Sequence, residues 1–371
     1  VAHSWVPGAD TTGFGADNLP YGVFSRGGGA PRVGVRIGEF VLDLAGTLGD
    51  PEFCVSSLAP FMARGSTAWR ATRAKIGGML TSDSGRARAE PHLVPLADVT
   101  LHPPFEITDL TFFQDTPRTG GGPRHFPVGH HGRAGTVVLS GGDIARPSGQ
   151  YLEPGADIPT FGPSREVDVG AALGFVIGAP TPPGRSVPVS DFAQHVFGVV
   201  VAGEWSARDL QGWEGGPLLG PAFATSISPW VVPLDALGAA RRAGREQSPP
   251  PLPYLRRVAD WGLDVTLEIR LNGRVVSRPP YASTYWTADQ MLAHLTSGGA
   301  PLRTGDLYVS GAVSGEERDE EGTLVEPGGA EAAPVLLDDG DRVVITAAAR
   351  GMSGGTIRLG EVTAVIHSVR G

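Results

Sequence analysis

The stretch Val196-Phe-Gly-Val-Val-Val-Ala-Gly-Glu204-Trp-Ser-Ala-Arg208-Asp-Leu-Gln211 decides the fold. Its first part is an apolar run bounded by glycine, the pattern of a buried strand. Gly174 to Gly178 repeats that pattern a short distance upstream. A strand that delivers Glu204, Arg208 and Gln211 at its end has the geometry of a site. A guanidinium clamps carboxylates and an amide orients a polar group. The plainer reading is a structural salt bridge between Arg208 and Glu204 or Asp209.

Working outward, the rest of the chain is also rich in strands. Val33, Val35 and Ile37, then Phe40, Leu42 and Leu44, alternate about Gly38-Glu39, which predicts a hairpin over Arg32 to Ala45. Asn272-Gly273 is the tip of a second hairpin over Asp264 to Ser277. Strands are expected at Leu302–Ser310, Arg342–Ala348 and Val362–Val369, with Asp338 to Asp341 as a hairpin tip. Helices are expected at Ser66 to Leu80, capped by Ser66, at Ser190 to His195, and from Trp286 to Ser297, capped by Thr287. The pattern resets around the Pro103-Pro104 break, which divides the chain into residues 1–105 and 106–371. The fold class is mostly β, in an α+β arrangement.

Composition narrows the function. Hydrophobic residues make up 41% and charged residues 19% of 371, enough apolar material for a buried core. A net charge of −9 with no basic stripe argues against nucleic acid. No run of apolar residues is long enough to span a membrane, so a soluble, cytoplasmic protein acting on a small molecule is expected. Cys54 is the only cysteine, which rules out an internal disulfide or a thiolate metal cluster. Lys75 is the only lysine among 30 basic residues, so lysine chemistry has almost no place here.

Three further features carry chemistry. Pro127-Val-Gly-His-His-Gly-Arg133 puts adjacent histidines in a glycine-bounded turn, one of which, His130, is a candidate acid, base or ligand. Asp109 follows the proline break and reads as a cap or a ligand. Gly311-Ala-Val-Ser-Gly315 permits close backbone approach. The acidic turn at Asp338-Asp339-Gly340-Asp341 reads as solvated, without the ligand series of a calcium loop.

Six segments, in order, resemble the fumarylacetoacetase family: Asn18 to Phe24, Arg32 to Gly38, Pro127 to Arg133, Pro147 to Gln150, Trp205 to Asp209 and Ser228 to Pro233. The resemblance implies a small N-terminal β-barrel-like domain, a C-terminal mixed β-roll and a homodimer. It also implies hydrolysis of a carbon–carbon bond in a β-diketo acid, with magnesium or calcium held by four carboxylates. Carried across, the ligand positions fall on Asp109, Gly170, Ala172 and Glu204, so two of four have no side chain able to ligate. The water-activating histidine falls on Thr116, its carboxylate partner on Glu326, and the catalytic lysine near Pro221. The substrate-contacting residues match Arg208 and Gln211, and a pocket tyrosine becomes His130.

The expectation is therefore an enzyme of this fold that uses no cofactor. It would act on a keto- or polyketide-type substrate by cyclisation, pericyclic reaction, isomerisation or decarboxylation, in specialised metabolism. His130, Glu326 and Arg208 are then catalytic, while Arg208, Gln211, His130 and Thr116 bind substrate. Asp109 and Glu204 are remnant metal ligands. One alternative is a diketone hydrolase with a rearranged magnesium or calcium site that recruits Glu166 or Asp168. The other is a protein that binds a metabolite without turning it over.

Overall fold

The structure is a computed structural model that describes residues 3–114, 124–153, 155–325 and 335–369. The N-terminal part is a five-stranded antiparallel sheet of β1 (Tyr21–Arg26), β2 (Arg32–Ile37), β3 (Phe40–Asp43), β4 (Leu93–Pro95) and β5 (Val99–His102), ordered β4-β3-β2-β1-β5. Val33, Val35 and Ile37 are fully buried and Gly38 turns with φ 56°, as the alternation predicts. Helix α1 (Ser66–Leu80) forms where expected and buries Trp69, Ile76 and Leu80. Its cap differs from the expectation: Gly65, not Ser66, holds the N-cap, and no side chain bonds there.

The C-terminal part is built on an eight-stranded mixed sheet. Its strands are β6 (Leu110–Gln114), β7 (Val128–His131), β8 (Val137–Leu139), β9 (Val167–Ile177), β10 (Val196–Ala207) and β11 (Ala224–Ile227), with a later strand and a short strand at Val232–Pro233. A second sheet carries β12 (Val265–Leu271) and β13 (Arg274–Ser277). The later strand β14 (Leu307–Val309) belongs to the first sheet, and β15 (Arg342–Arg350) and β16 (Thr356–His367) to the second. The main sheet runs β7-β6-β14-β9-β10-β11-β8, and the second β13-β12-β15-β16 with Ile144–Ala145 at its edge. Helix α2 (Arg208–Glu214) leaves the end of β10 directly, and α3 (Ala288–Thr296) starts with the predicted Thr287 in a capping box with Gln290. The fold is thus mostly β, with the curled N-terminal sheet and C-terminal roll that the resemblance implied.

Side chains alternate across the main sheet between two cores. Leu173, Phe175, Val199, Val201 and Trp205 face the second sheet. Leu110, Phe112, Ala172, Val176, Val200 and Ala202 face the N-terminal part and share its core. Asn272 (φ 50°) and Gly273 (φ 81°) form the tight β12–β13 turn.

Some expected elements shift. The strand from Leu302 to Ser310 shrinks to Leu307–Val309. Asp306 accepts bonds from Thr108 Oγ1 (2.6 Å) and Arg303 N (2.7 Å), and Gly305 takes φ 96°, which makes the preceding residues a turn. His130 and His131 lie in strand β7 rather than a turn, because Thr111 and Phe112 pair with them across the sheet. The Asp338–Asp341 turn precedes β15. The Asp339 carboxylate accepts from Arg146 (2.7 Å), and that of Asp341 accepts from Asn272 (2.8 Å) and the backbone N–H of Asp338 (2.8 Å), so two of the three carboxylates are engaged within the protein. Among the described residues no helix is long and apolar enough to cross a membrane.

Candidate active site

Strand register determines which residues can meet. Gly170 pairs with Glu204 and Ala172 with Ala202, so these four project to one face. Asp168, opposite Ser206, lies two residues further on that same face. Phe112 pairs with Val309, and Val309 with Gly174, which brings the Phe112 ring to this face too.

Asp109 does not join them. Leu110 pairs with Leu307, and Leu307 with Val176, six residues along β9 from Gly170. At about 3.3 Å per residue, Asp109 lies roughly 20 Å from Glu204 along the strand direction. Its carboxylate bonds to Leu110 N (2.8 Å) and approaches Arg303 (3.8 Å). The reading of Asp109 and Glu204 as two ligands of one ion is therefore corrected: sheet register separates them.

Glu204 is held by the β9–β10 ladder. Its Oε1 is buried and has no hydrogen-bond partner among the described residues. Burial pushes its carboxyl up to about 8, with Arg208 pulling weakly the other way. Arg208, the first residue of α2, donates from Nε (3.0 Å) and Nη2 (2.6 Å) to Asp168 Oδ2. Asp168 is fully buried, and its Oδ1 accepts from Val169 N (2.7 Å) and Leu324 N (3.0 Å). The structural salt bridge that the sequence allowed does exist, but Asp168 is the partner, not Glu204 or Asp209. Asp209 instead accepts from Ser164 Oγ (2.6 Å) and Arg165 N (2.8 Å). Gln211, three residues after Arg208, shares its side of α2.

His130 stacks on Phe112, ring centroids 5.5 Å apart at 27°. Its Nδ1 is buried without a partner among the described residues, and burial, aided by neighbouring His131, holds the imidazole below its ordinary range. Phe112 is the site residue that sequence reasoning missed. The signal was present in the alternation Leu110, Phe112, Gln114, but reading it requires knowing which strands flank β6. Thr116 and Glu326 lie outside the described residues.

Among the described residues, the donor set around Glu204 does not fit a divalent metal. A Cβ at Gly170 would lie 2.8 Å from the Ala312 Cβ and 3.6 Å from Thr323 Cγ2, so the glycine-bounded loop closes on the space a ligand's side chain would need. Ala172 is fully buried in the core shared with the N-terminal part. Glu166 is exposed, and the oxygens of Asp168 are engaged by Arg208 and two backbone N–H groups. Among the described residues no three His, Cys, Asp or Glu side chains are grouped to hold an ion. A cleft of about 420 Å³ opens elsewhere, beside β8, lined by Phe105, Ile107, Val137, Leu139 and Ile227 among others, and contains none of these residues.

Residues 17–104 match the family model of the fumarylacetoacetase N-terminal region, and residues 111–366 that of the fumarylacetoacetate (FAA) hydrolase C-terminal region. The fumarylacetoacetases of Oryza sativa subsp. japonica and Rattus norvegicus are 35% and 36% identical to this chain. Those matches cover 94% of it and 93% and 95% of their own lengths. The chain belongs to the fumarylacetoacetate hydrolase family. The fumarylacetoacetate hydrolase from psychrophilic Exiguobacterium antarcticum has the same fold, with a TM-score of 0.60 at 18% identity, covering 94% of this chain and 99% of that one. So does the maleylpyruvate hydrolase from Sphingobium sp. SYK-6, solved in complex with manganese (II) ion and pyruvate. Its TM-score is 0.57 at 18% identity, covering 95% of this chain and all of that one (100%).

Proposed function

We propose that this family member is an enzyme acting on a keto- or polyketide-type small molecule by a step that needs no divalent metal. Cyclisation, isomerisation, decarboxylation and pericyclic rearrangement all fit, because shape and hydrogen bonding carry them more than water activation does. The observation behind this reading is the tight approach of Ala312 to Gly170, which leaves no room for a carboxylate side chain at the position opposite Glu204. In this reading Arg208 anchors a developing oxyanion and Gln211 orients a carbonyl. His130 moves a proton at its unpartnered Nδ1, or Glu326 does so, and Thr116 contacts the substrate. A homodimer in the cytoplasm, serving specialised metabolism, is the setting we propose.

Family resemblance supports a second reading, a metal-dependent diketone hydrolase, since the relatives named above are hydrolases and one was solved with manganese. Turnover of fumarylacetoacetate by folded protein, with magnesium, calcium, manganese or chelator, separates the two. We expect no metal-dependent hydrolysis. An enzyme-like rate that chelator abolishes would sink the metal-free reading. A protein that binds metabolites without turnover would show no effect of His130→Ala on any reaction.

A further inference from the structure

Arg208 is close enough to Glu204 to draw on its carboxyl electrostatically, and its setting bears on the charge of the ligand. Nε and Nη2 both donate to one oxygen of a fully buried carboxylate, Asp168. That carboxylate is itself held by Val169 N and Leu324 N, so it cannot swing away when a ligand arrives. The Arg208 side chain remains 27% exposed, and its bonds to Asp168 run through Nε and Nη2, not Nη1. What reaches the site is thus a fixed hydrogen-bond donor whose positive charge is already balanced.

No other described strand residue on this face is Lys or Arg. The face carries Phe112, Gln114, His130, Glu204 and Ser206. His130 is held toward its neutral form by burial, and Glu204 adds no positive charge in either protonation state. Among the described strand residues of this face a carboxylate ligand would find no counter-charge, a penalty that a neutral carbonyl does not meet.

We infer that Asp168 is a specificity-determining residue: by neutralising Arg208 it makes the site select a neutral carbonyl or enol over a carboxylate. The inference rests on the proposed small-molecule site beside Glu204. Asp168 does not touch the ligand and acts through Arg208.

The test measures binding of two probes, acetylacetone and acetoacetate, to the full chain by ligand-observed NMR, with chelator and with magnesium or calcium. Wild type is expected to bind acetylacetone at least about tenfold more tightly than acetoacetate, with or without metal. Asp168→Asn, shown to be folded by its thermal melt, is expected to move that ratio about tenfold toward acetoacetate, because Arg208 regains its charge. If Asp168→Asn does not fold, the wild-type ratio decides alone. Acetoacetate binding as tightly as acetylacetone, a folded Asp168→Asn with an unchanged ratio, or no binding of either probe would each overturn the inference. Preference for acetylacetone seen only with metal would overturn both the charge argument and the metal-free reading.

Discussion

The two ends of the β9–β10 ladder make different use of one backbone. At the Val176 end, Val176, Val200 and Leu307 bury their side chains in the core shared with the N-terminal sheet. At the Asp168 end, the same alternation on the same face presents Asp168, Gly170, Glu204 and Ser206. The apolar end holds the fold together. The polar end contributes little hydrophobic burial and can change its chemistry without loss of the ladder. The architecture that this chain shares with fumarylacetoacetases, at about 35% identity over nearly its whole length, therefore rests on the apolar end.

The sharpest way to break this comparison is to restore a carboxylate at the polar end. Gly170→Glu forces a side chain against Ala312 and buries a charge, so we expect a loss of about 4 kcal/mol or more in denaturant unfolding. A stable, metal-binding Gly170→Glu protein would show that the loop yields, and would undo the steric argument. Next in size is Asp168→Ala, which leaves the part-buried Arg208 unpaired and two backbone N–H groups without acceptors. A loss of about 3 kcal/mol is expected.

Glu204 tests the electrostatics. Its folded-state value of about 8 lies above the ordinary carboxyl range, so its protonated form favours folding. That contribution is fully present below about pH 4.5 and is lost as pH rises through about 8. Glu204→Gln should therefore flatten the fall in stability between about pH 4.5 and 8 by a few kcal/mol, at ~1.4 kcal/mol per pH unit. Parallel stability–pH curves for the two proteins would refute it. The smallest effect belongs to Asp109→Asn, which removes an exposed partner of Arg303. We expect a change within about 0.5 kcal/mol and no change in any activity found. A large activity loss would put Asp109 back in the site.

Much of this was legible in the residues. Hairpins at Gly38 and Asn272-Gly273, α1, α3 and the paired apolar runs follow from local period and turn chemistry. So does the position of Glu204, Arg208 and Gln211 at a strand's end. Other features were not legible, for identifiable reasons. The strand at Leu302–Ser310 is cut short by Asp306, which bonds to a threonine almost 200 residues earlier in the chain. The partner of Arg208 was sought among Glu204 and Asp209, its sequence neighbours, while Asp168 approaches it from the adjacent strand.

By itself the sequence determined the element types, the family-wide architecture and the absence of ligating side chains at positions 170 and 172. These depend on side-chain identity and on periodicity within a few residues. Only the tertiary structure decided that Phe112, rather than Asp109, shares a face with Glu204, that Ala312 closes the space beside Gly170, and that Asp168 neutralises Arg208. Each of these depends on the register of strands far apart in the chain, where a shift of one residue would turn every side chain to the other face.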